Sequence, residues 1–136
     1  MSTPRIGVLV VDDHADVASA TARLLDEEPD LRCAGVLHEA DRLPQMVAEI
    51  RPSIVLLDLT MPGRDPLAAM GEALEHLPHC RFIVVSGYDD AADMDRAFDQ
   101  GAWGFVSKHL EFSILLTAIR TVAAGTVFRR GMGGVR

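Results

Sequence analysis

The chain has 136 residues, a length that fits one domain of ordinary size. Its 13 basic and 20 acidic side chains give a formal net charge of −7, whereas nucleic-acid-binding domains are usually strongly basic. Two cysteines cannot form a disulfide framework, no apolar run approaches the ~20 residues of a membrane span, and the N-terminus lacks a signal-peptide profile. We therefore expect one cytoplasmic domain that binds neither nucleic acid nor a membrane by itself.

Short apolar runs rich in β-branched residues alternate with segments of helical periodicity, which is the pattern of a parallel α/β sheet. Pro44 fits the first turn of the second helix with Asp41 as its cap, and Gly125 ends the fifth helix. Residues 126–136 have no periodicity, so we expect a flexible tail or the beginning of a linker there. In chain order the pattern predicts a strand over residues 6–11, a helix over 15–27, a strand over 31–36, a helix ending near 50, a strand over 53–57, a helix over 66–77, a strand over 82–85, a helix ending at 101, a strand over 103–106 and a helix over 110–124.

Polar side chains follow four of the predicted strands. Asp12 and Asp13 follow the first strand and Asp58 the third, while Ser86 follows the fourth and Lys108 the fifth. The carboxyl ends of parallel strands share one edge of the sheet, where ligands of such folds bind. Two carboxylates about 4 Å apart repel each other by roughly 4 kcal/mol at an effective dielectric constant of 20, so three of them need a cation. Hard oxygen ligands select Mg²⁺ or a similar ion such as Mn²⁺, and the lysine and the hydroxyl then suit a phosphoryl group.

The same side chains also have ordinary structural interpretations. Asp12 and Asp13 precede a helix, where aspartate is a favoured cap, and an aspartate at a strand end often belongs to a turn. A lysine such as Lys108 most often lies on the surface, and the same is expected of His14. For Asp58, the four apolar residues before it favour a position at the floor of a pocket.

The segments that carry these residues resemble the receiver domains of bacterial two-component response regulators. Asp12-Asp13 resembles the acidic pair of that family, and Leu56-Leu-Asp-Leu-Thr-Met-Pro-Gly63 is very similar to the segment around its phosphoacceptor. Val84-Val-Ser-Gly87 and Gly101-Ala-Trp-Gly-Phe-Val-Ser-Lys108 match the segments that end in the hydroxyl residue and in the lysine of the family. Four segments in the family's order make the resemblance specific, and it extends from Val8 to about Gly125.

The resemblance implies a doubly wound, CheY-like or flavodoxin-like (βα)5 fold, with a five-stranded parallel sheet in the order 2-1-3-4-5 and helices on both faces. It implies a receiver domain over residues 1–125, followed over 126–136 by a flexible tail or a linker to an output domain. The second half of the match most resembles receivers that precede a helix-turn-helix transcription domain. Such a chain is a signalling domain and not an enzyme that acts on external substrates.

The resemblance also assigns a role to each residue. A sensor histidine kinase or a phosphotransfer protein would supply a phosphoryl group to Asp58, which attacks in line. Lys108 and Ser86 would bind the phosphoryl oxygens. The family pattern assigns Mg²⁺ to Asp12, Asp13, Asp58 and the backbone carbonyl of Thr60.

Four further positions concern switching and the lifetime of the phosphoryl group. Ser86 and Phe105 occupy the switch positions, and Phe105 would swing inward after phosphorylation and remodel the face made by the fourth helix, fifth strand and fifth helix. Phenylalanine there lacks the hydroxyl of the tyrosine that many receivers carry. Thr60 and Tyr88 occupy positions that tune dephosphorylation.

Other functions remain to be weighed. An aspartate-nucleophile phosphatase of the haloacid dehalogenase type needs a second aspartate two residues after the nucleophile, where this chain has Thr60. Nucleotide binding lacks its glycine-rich loop, and a scaffold without phosphotransfer is disfavoured by the intact acids, hydroxyl and lysine. A homodimer is a further expectation, with Phe112 and Leu116 of the fifth helix as candidates for its surface.

Overall fold

One parallel sheet organises the chain, with helices on both of its faces. The computed structural model describes residues 4–87 and 91–130, and every contact given below lies within these two ranges. The strands follow the order β2-β1-β3-β4-β5-β6, and all neighbouring pairs are parallel, so the predicted doubly wound topology is confirmed. The elements are β1 (Ile6–Val11), α1 (Ala15–Asp26), β2 (Leu31–Leu37), α2 (Leu43–Ile50), β3 (Ile54–Asp58), α3 (Pro66–His76), β4 (Arg81–Ser86), α4 (Ala91–Asp99), β5 (Gly104–Ser107), α5 (Phe112–Ala123) and β6 (Phe128–Arg130).

The sixth strand differs from the five that the sequence pattern predicts. Gly125 has a φ of 97°, and its N–H donates to the carbonyl of Val122 at 2.9 Å, which ends α5 and redirects the chain. The N–H of Phe128 then donates to the carbonyl of Trp103 at 3.0 Å, and β6 pairs with the edge of β5. Residues 126–130 therefore belong to the folded unit and not to a flexible tail. Three residues are too few to show a periodicity, and their partner strand is next to them only in the folded chain.

The apolar side chains form two clusters because successive residues of a strand point to opposite faces of the sheet. Leu9 and Val11 of β1 belong to the cluster that α2, α3 and α4 cover. Val8 and Val10 belong to the cluster that α1 and α5 cover. Each fully buried side chain of this size contributes on the order of 1.5–3 kcal/mol of transfer free energy. The burial of β1 on both faces confirms its central position.

The cap of α2 is not the one that the sequence predicts. The helix begins at Leu43 with Arg42 as its N-cap residue, and no side chain caps it. Asp41 instead accepts a hydrogen bond from the N–H of Arg64 at 3.2 Å through its Oδ1 atom, because the loop before α3 passes beside it. Pro44 lies in the first turn of α2, as predicted.

The carboxyl ends of the central strands meet at one edge of the sheet. Asp58 is the last residue of β3 and Ser86 the last of β4, and the β4–β5 register pairs Ser86 with Ser107. Strand order reverses at β1, which lies between β2 and β3, and this is where open α/β sheets form their ligand crevice. The predicted acids Asp12, Asp13 and Asp58, together with Ser86 and Lys108, lie at or next to this edge.

Candidate functional site

Three carboxylates and one imidazole converge at the ends of β1 and β3. Asp12, Asp13 and His14 follow β1, and the register that pairs Val11 with Leu57 brings them beside Asp58. One potential ligand atom from each of the three acids and from the histidine lies within 4.8 Å of the others. The structure therefore brings the three predicted acids into one cluster.

Lys108 closes this cluster from the side of β5. Its Nζ atom donates to Oδ2 of Asp58 at 2.7 Å and lies 3.4 Å from Oδ2 of Asp12. The backbone N–H of Lys108 donates to the carbonyl of Ser86 at 2.8 Å, which fixes the turn after β5 against β4. The N–H of Thr60 donates to Oδ1 of Asp58 at 2.8 Å, so each oxygen of this carboxylate accepts one hydrogen bond.

The electrostatics of the cluster depend on a balance between burial and hydrogen bonding. Burial raises the pKa of Asp58, which is only 1% exposed, and the hydrogen bonds from Lys108 and Thr60 do not cancel this effect. Burial also opposes ionisation of Asp12, but the N–H of His14 and the charge of Lys108 outweigh it and lower the pKa. For Lys108, burial is outweighed by the hydrogen bond and the charge of Asp58, so its pKa is raised. An additional cation would balance the negative charge by which Asp12, Asp13 and Asp58 exceed the single positive charge of Lys108.

The donor set fits a small divalent cation. Oδ1 of Asp13 is buried and has no hydrogen-bond partner within the described ranges. Nδ1 of His14 lies 3.2 Å from this oxygen without hydrogen-bond geometry, and 3.2 Å from Oδ1 of Asp12. Hard carboxylate oxygens are the ligands that Mg²⁺ and Mn²⁺ prefer. His14 is itself largely exposed, in agreement with the sequence analysis, although its contact with both acids was not foreseen.

Asp12 has a structural role beside its place in the cluster. Its Oδ1 atom accepts a hydrogen bond from the N–H of His14 at 2.9 Å, immediately before α1. His14 is the N-cap residue of α1, and its side chain makes no cap hydrogen bond. Asp12 is therefore not the cap of α1, so the capping interpretation is wrong for this residue, and its side chain instead holds the turn before the helix through the N–H of His14.

Ser86 and Thr60 are adjacent to the cluster, since the N–H of Thr60 donates to Asp58 and Ser86 ends the strand that pairs with β3. A cavity of about 170 Å³ contains Asp12, Asp58 and Lys108 in its lining. Ser86 and Thr60 line a neighbouring cavity of about 260 Å³. Tyr88, the other position assigned to dephosphorylation, lies outside the described residues.

Phe105 already occupies an inward position. Its side chain is fully buried, in the core cluster that α4 covers. The predicted inward swing presupposes an exposed starting position, which this structure does not have. The side chain has no hydroxyl that would favour water, and β6 covers the edge of the strand on which it lies.

Comparison with known proteins identifies the family. The family model described as the response regulator receiver domain matches residues 8–120. Two curated relatives are the oxygen regulatory protein NreC of Staphylococcus haemolyticus, 28% identical over 89% of this chain and 56% of its own length, and the transcriptional regulatory protein DegU of Brevibacillus brevis, 23% identical over 91% and 52%. The chain thus spans about half the length of these relatives.

Solved structures give the same result. A LuxR-family two-component response regulator from Aurantimonas sp. superposes with a TM-score of 0.86 at 27% identity, over 91% of this chain and 89% of the other. The receiver domain of the putative regulator NarL of Mycobacterium tuberculosis gives 0.83 at 25% identity, over 90% and 99%. The haloacid dehalogenase alternative receives no support from these comparisons. Within residues 4–87 and 91–130, no helix has the length and apolar character needed to cross a bilayer. The chain belongs to the response regulator receiver domain family.

Proposed function

We propose that this chain is a phosphorylation-operated receiver in which Asp58 accepts a phosphoryl group from a phosphohistidine. The donor would be a sensor histidine kinase or a phosphotransfer protein. The observation that carries the proposal is the buried carboxylate of Asp58 at the floor of an acidic cluster, with the ammonium of Lys108 at 2.7 Å. A carboxylate oxygen attacks phosphorus, the phosphorus–nitrogen bond breaks, and the released imidazole takes up a proton.

The acids of the cluster suit a cation that accompanies the phosphoryl group. Asp12, Asp13 and Asp58 would hold Mg²⁺ or Mn²⁺ together with the backbone carbonyl of Thr60. The short distances among the acids support this assignment, as does the buried Oδ1 of Asp13, which accepts no hydrogen bond from the described part of the chain. A bound divalent cation supplies positive charge against the negative charge of the transferred phosphoryl group.

Other residues act on the phosphorylated aspartate. Lys108, already in contact with Asp58, is placed to bind a phosphoryl oxygen. Ser86, the last residue of the strand next to β3, would bind a second oxygen. Thr60 and Tyr88 would set the access of water to the acyl phosphate. Phe105 remains the proposed switch residue, but it starts from a buried position.

The output is a second part of the proposal. The printed names of the relatives describe an oxygen regulatory protein and a transcriptional regulatory protein, both about twice as long as the matched segment. We therefore propose that phosphorylation controls transcription through the face made by α4, β5 and α5, as part of a longer, cytoplasmic regulator. A homodimer that uses α5 belongs to the same proposal.

Labelling with acetyl phosphate in Mg²⁺ tests the phosphoacceptor. We expect intact-protein mass spectrometry to show one phosphoryl group on the wild type, none on Asp58→Asn and none after chelation of Mg²⁺. Asp99→Asn, an exposed aspartate of α4, is the matched control and should label like the wild type. Equal labelling of Asp58→Asn would refute the assignment, and steady release of phosphate from external phosphoesters would favour the phosphatase.

The metal assignment needs a different readout. Trp103 lies five residues from Lys108, about 16 Å along an extended strand, so its fluorescence is a poor reporter of the cluster. A ligand at one hundred times its dissociation constant adds about 2.7 kcal/mol of stability, so thermal unfolding reports Mg²⁺ binding directly. We expect Mg²⁺ to raise the Tm of the wild type and of Asp99→Asn but not of Asp13→Asn. An equal rise in Asp13→Asn would exclude that residue as a ligand.

A further inference from the structure

Residues 126–130 are held against the α4–β5 edge of the sheet by their backbone. The N–H of Thr126 donates to the carbonyl of Thr121 at 3.1 Å, and the N–H of Phe128 donates to that of Trp103 at 3.0 Å. The register pairs Phe128, Arg129 and Arg130 with residues 104, 105 and 106 of β5. The segment that leads out of α5 therefore returns to the sheet next to the strand that carries Lys108.

Arg129 adds the side-chain part of this attachment. Its guanidinium carbon lies 4.7 Å from the ring centroid of Phe98 on α4, and its Nη2 atom lies 3.5 Å from Oδ1 of Asp95 on the same helix. Helix α4 carries three aspartates and one arginine, whereas the segment after residue 125 is basic. The two surfaces are thus complementary in charge.

The attached segment covers Phe105. Residues paired in register on parallel strands point to the same face, so Arg129 lies beside Phe105 on the face that α4 covers. Without β6, β5 would be the edge strand of the sheet. The complete burial of Phe105 is therefore partly a consequence of β6.

Strand β5 joins this surface to the candidate phosphorylation site. Phe105 lies three residues before Lys108, whose ammonium contacts Asp58 and whose N–H is bonded to the carbonyl of Ser86. A phosphoryl group on Asp58 would place new negative charge in front of Lys108 and, through this lysine, would hold the end of β5 more firmly. A more firmly held β5 is a better partner for β6, since ordering of one strand lowers the entropic cost of ordering the next.

We propose that the α4–β5 edge is an intramolecular docking surface for residues 126–130, anchored by Arg129, and that docking and phosphorylation of Asp58 favour each other. The coupling rests on the proposed function, whereas the docking does not. Because coupling between two equilibria is reciprocal, a variant that weakens docking must also weaken phosphorylation. The state of Asp58 would then reach the chain beyond Arg130 through β5 and β6.

Hydrogen exchange of the full chain, followed by mass spectrometry, tests the docking without any phosphodonor. A cation–π contact at an exposed site contributes on the order of a two- to fivefold change in an equilibrium, so Arg129→Ala should speed exchange over residues 126–130 by about that factor. Arg129→Lys keeps the charge and should restore most of the protection. Arg96→Ala, which removes the exposed arginine of α4 itself, should change nothing in this segment. Unchanged exchange in Arg129→Ala would refute the anchor.

The coupling is tested by repeating the exchange with acetyl phosphate and Mg²⁺. In the wild type, phosphorylation should slow exchange over residues 126–130, whereas the same reagents should leave exchange unchanged in Asp58→Asn. Exchange over this segment that phosphorylation of the wild type does not change would refute the coupling. A wild type that takes up no phosphoryl group would refute the proposed function and the coupling together, while the donor-free exchange would still decide the docking. Equal Tm values for Arg129→Ala and Arg129→Lys would show that global unfolding does not explain the difference.

Discussion

Replacement of Lys108 by methionine tests the electrostatic organisation of the site. Methionine keeps an apolar stem of similar length and removes only the charge and its hydrogen bonds. Lys108 is 21% exposed, and its ammonium contacts Asp58 at 2.7 Å and Asp12 at 3.4 Å. Its removal leaves two adjacent carboxylates without their cation.

The expected loss of stability follows from these distances. At an effective dielectric constant of about 20, the two attractions amount to about 6 and about 5 kcal/mol before any compensation. Solvent reaches the lysine and the carboxylates can protonate, so most of this energy is compensated. Removal of one partner from a buried ion pair costs roughly 3–5 kcal/mol of stability. Because the Lys108 side chain is partly exposed, we expect Lys108→Met to lose about 3 kcal/mol, at the lower end of this range. For a chain of this length that corresponds to a Tm lower by about 10 °C.

Urea unfolding followed by circular dichroism measures this loss without added metal. Arg96→Met removes an exposed charge whose ion pairs are long, so it is the matched control and should cost less than about 0.5 kcal/mol. In Lys108→Met/Asp58→Asn the more deeply buried of the two uncompensated charges is gone while that of Asp12 remains, and we expect more than half of the lost stability to return. A loss below 1 kcal/mol in Lys108→Met, or no recovery in the double variant, would refute the reasoning.

The pH dependence of the same variant has a defined sign. Without Lys108 the folded-state pKa values of Asp58 and Asp12 rise, and a carboxyl with a raised pKa destabilises the fold as pH rises through that value. The raised pKa of Lys108 in the wild type means that its contribution is complete below the unfolded value and is lost at strongly alkaline pH. The difference between wild type and Lys108→Met should therefore be larger at pH 8 than at pH 5. The same difference in stability at pH 5 and pH 8 would show that the Lys108 side chain stabilises the fold through packing and not through its charge.

Two further predictions concern the scaffold. Gly101→Ala should destabilise the protein by about 2 kcal/mol, because Gly101 has a φ of 113° and an added Cβ would lie 2.9 Å from Leu74. Gly71→Ala, inside α3, should instead be neutral or stabilise the protein by up to about 1 kcal/mol. A change of unfolding free energy in urea that has the same sign for both variants would contradict this reasoning. Burial raises the pKa of the Cys80 thiol to about 12. In Cys33→Ser, where Cys80 is the remaining thiol, reaction with a disulfide reagent at pH 8 should therefore be only as fast as unfolding of the protein. Rapid labelling of that variant would show that Cys80 is accessible in the native state.

The arrangement of the site was largely predictable from the order of residues. Asp12, Asp58 and Ser86 each follow an apolar run, and parallel strands necessarily present their carboxyl ends on one edge of the sheet. Those two facts are enough to place the acids, the hydroxyl and the lysine near one another. Which carboxylates Lys108 contacts was not predictable from the sequence. Two carboxylates lie within reach of its ammonium, and the geometry of the turn after β5 decides the distance to each of them.

Phe105 shows where prediction from the sequence ends. The pattern of β5 identifies this residue as part of a short strand, but it shows neither that the side chain is fully buried nor that β6 pairs beside it from 23 residues further along the chain. The same holds for Asp41, whose carboxylate accepts from Arg64 and not from the helix that follows it. Both outcomes depend on contacts between segments that are distant in sequence.

Alternation of strand-like and helix-like segments determined the fold class, since periodicities of 2 and 3.6 residues are local properties that survive without any partner. The positions of the chemical groups at the strand ends were determined in the same way. Only the tertiary structure decided that a three-residue strand completes the sheet, that Lys108 bridges Asp58 and Asp12, and that one buried oxygen of Asp13 has no hydrogen-bond partner among the described residues. These features arise from long-range pairing and from the competition between burial and charge, which only the packed chain resolves.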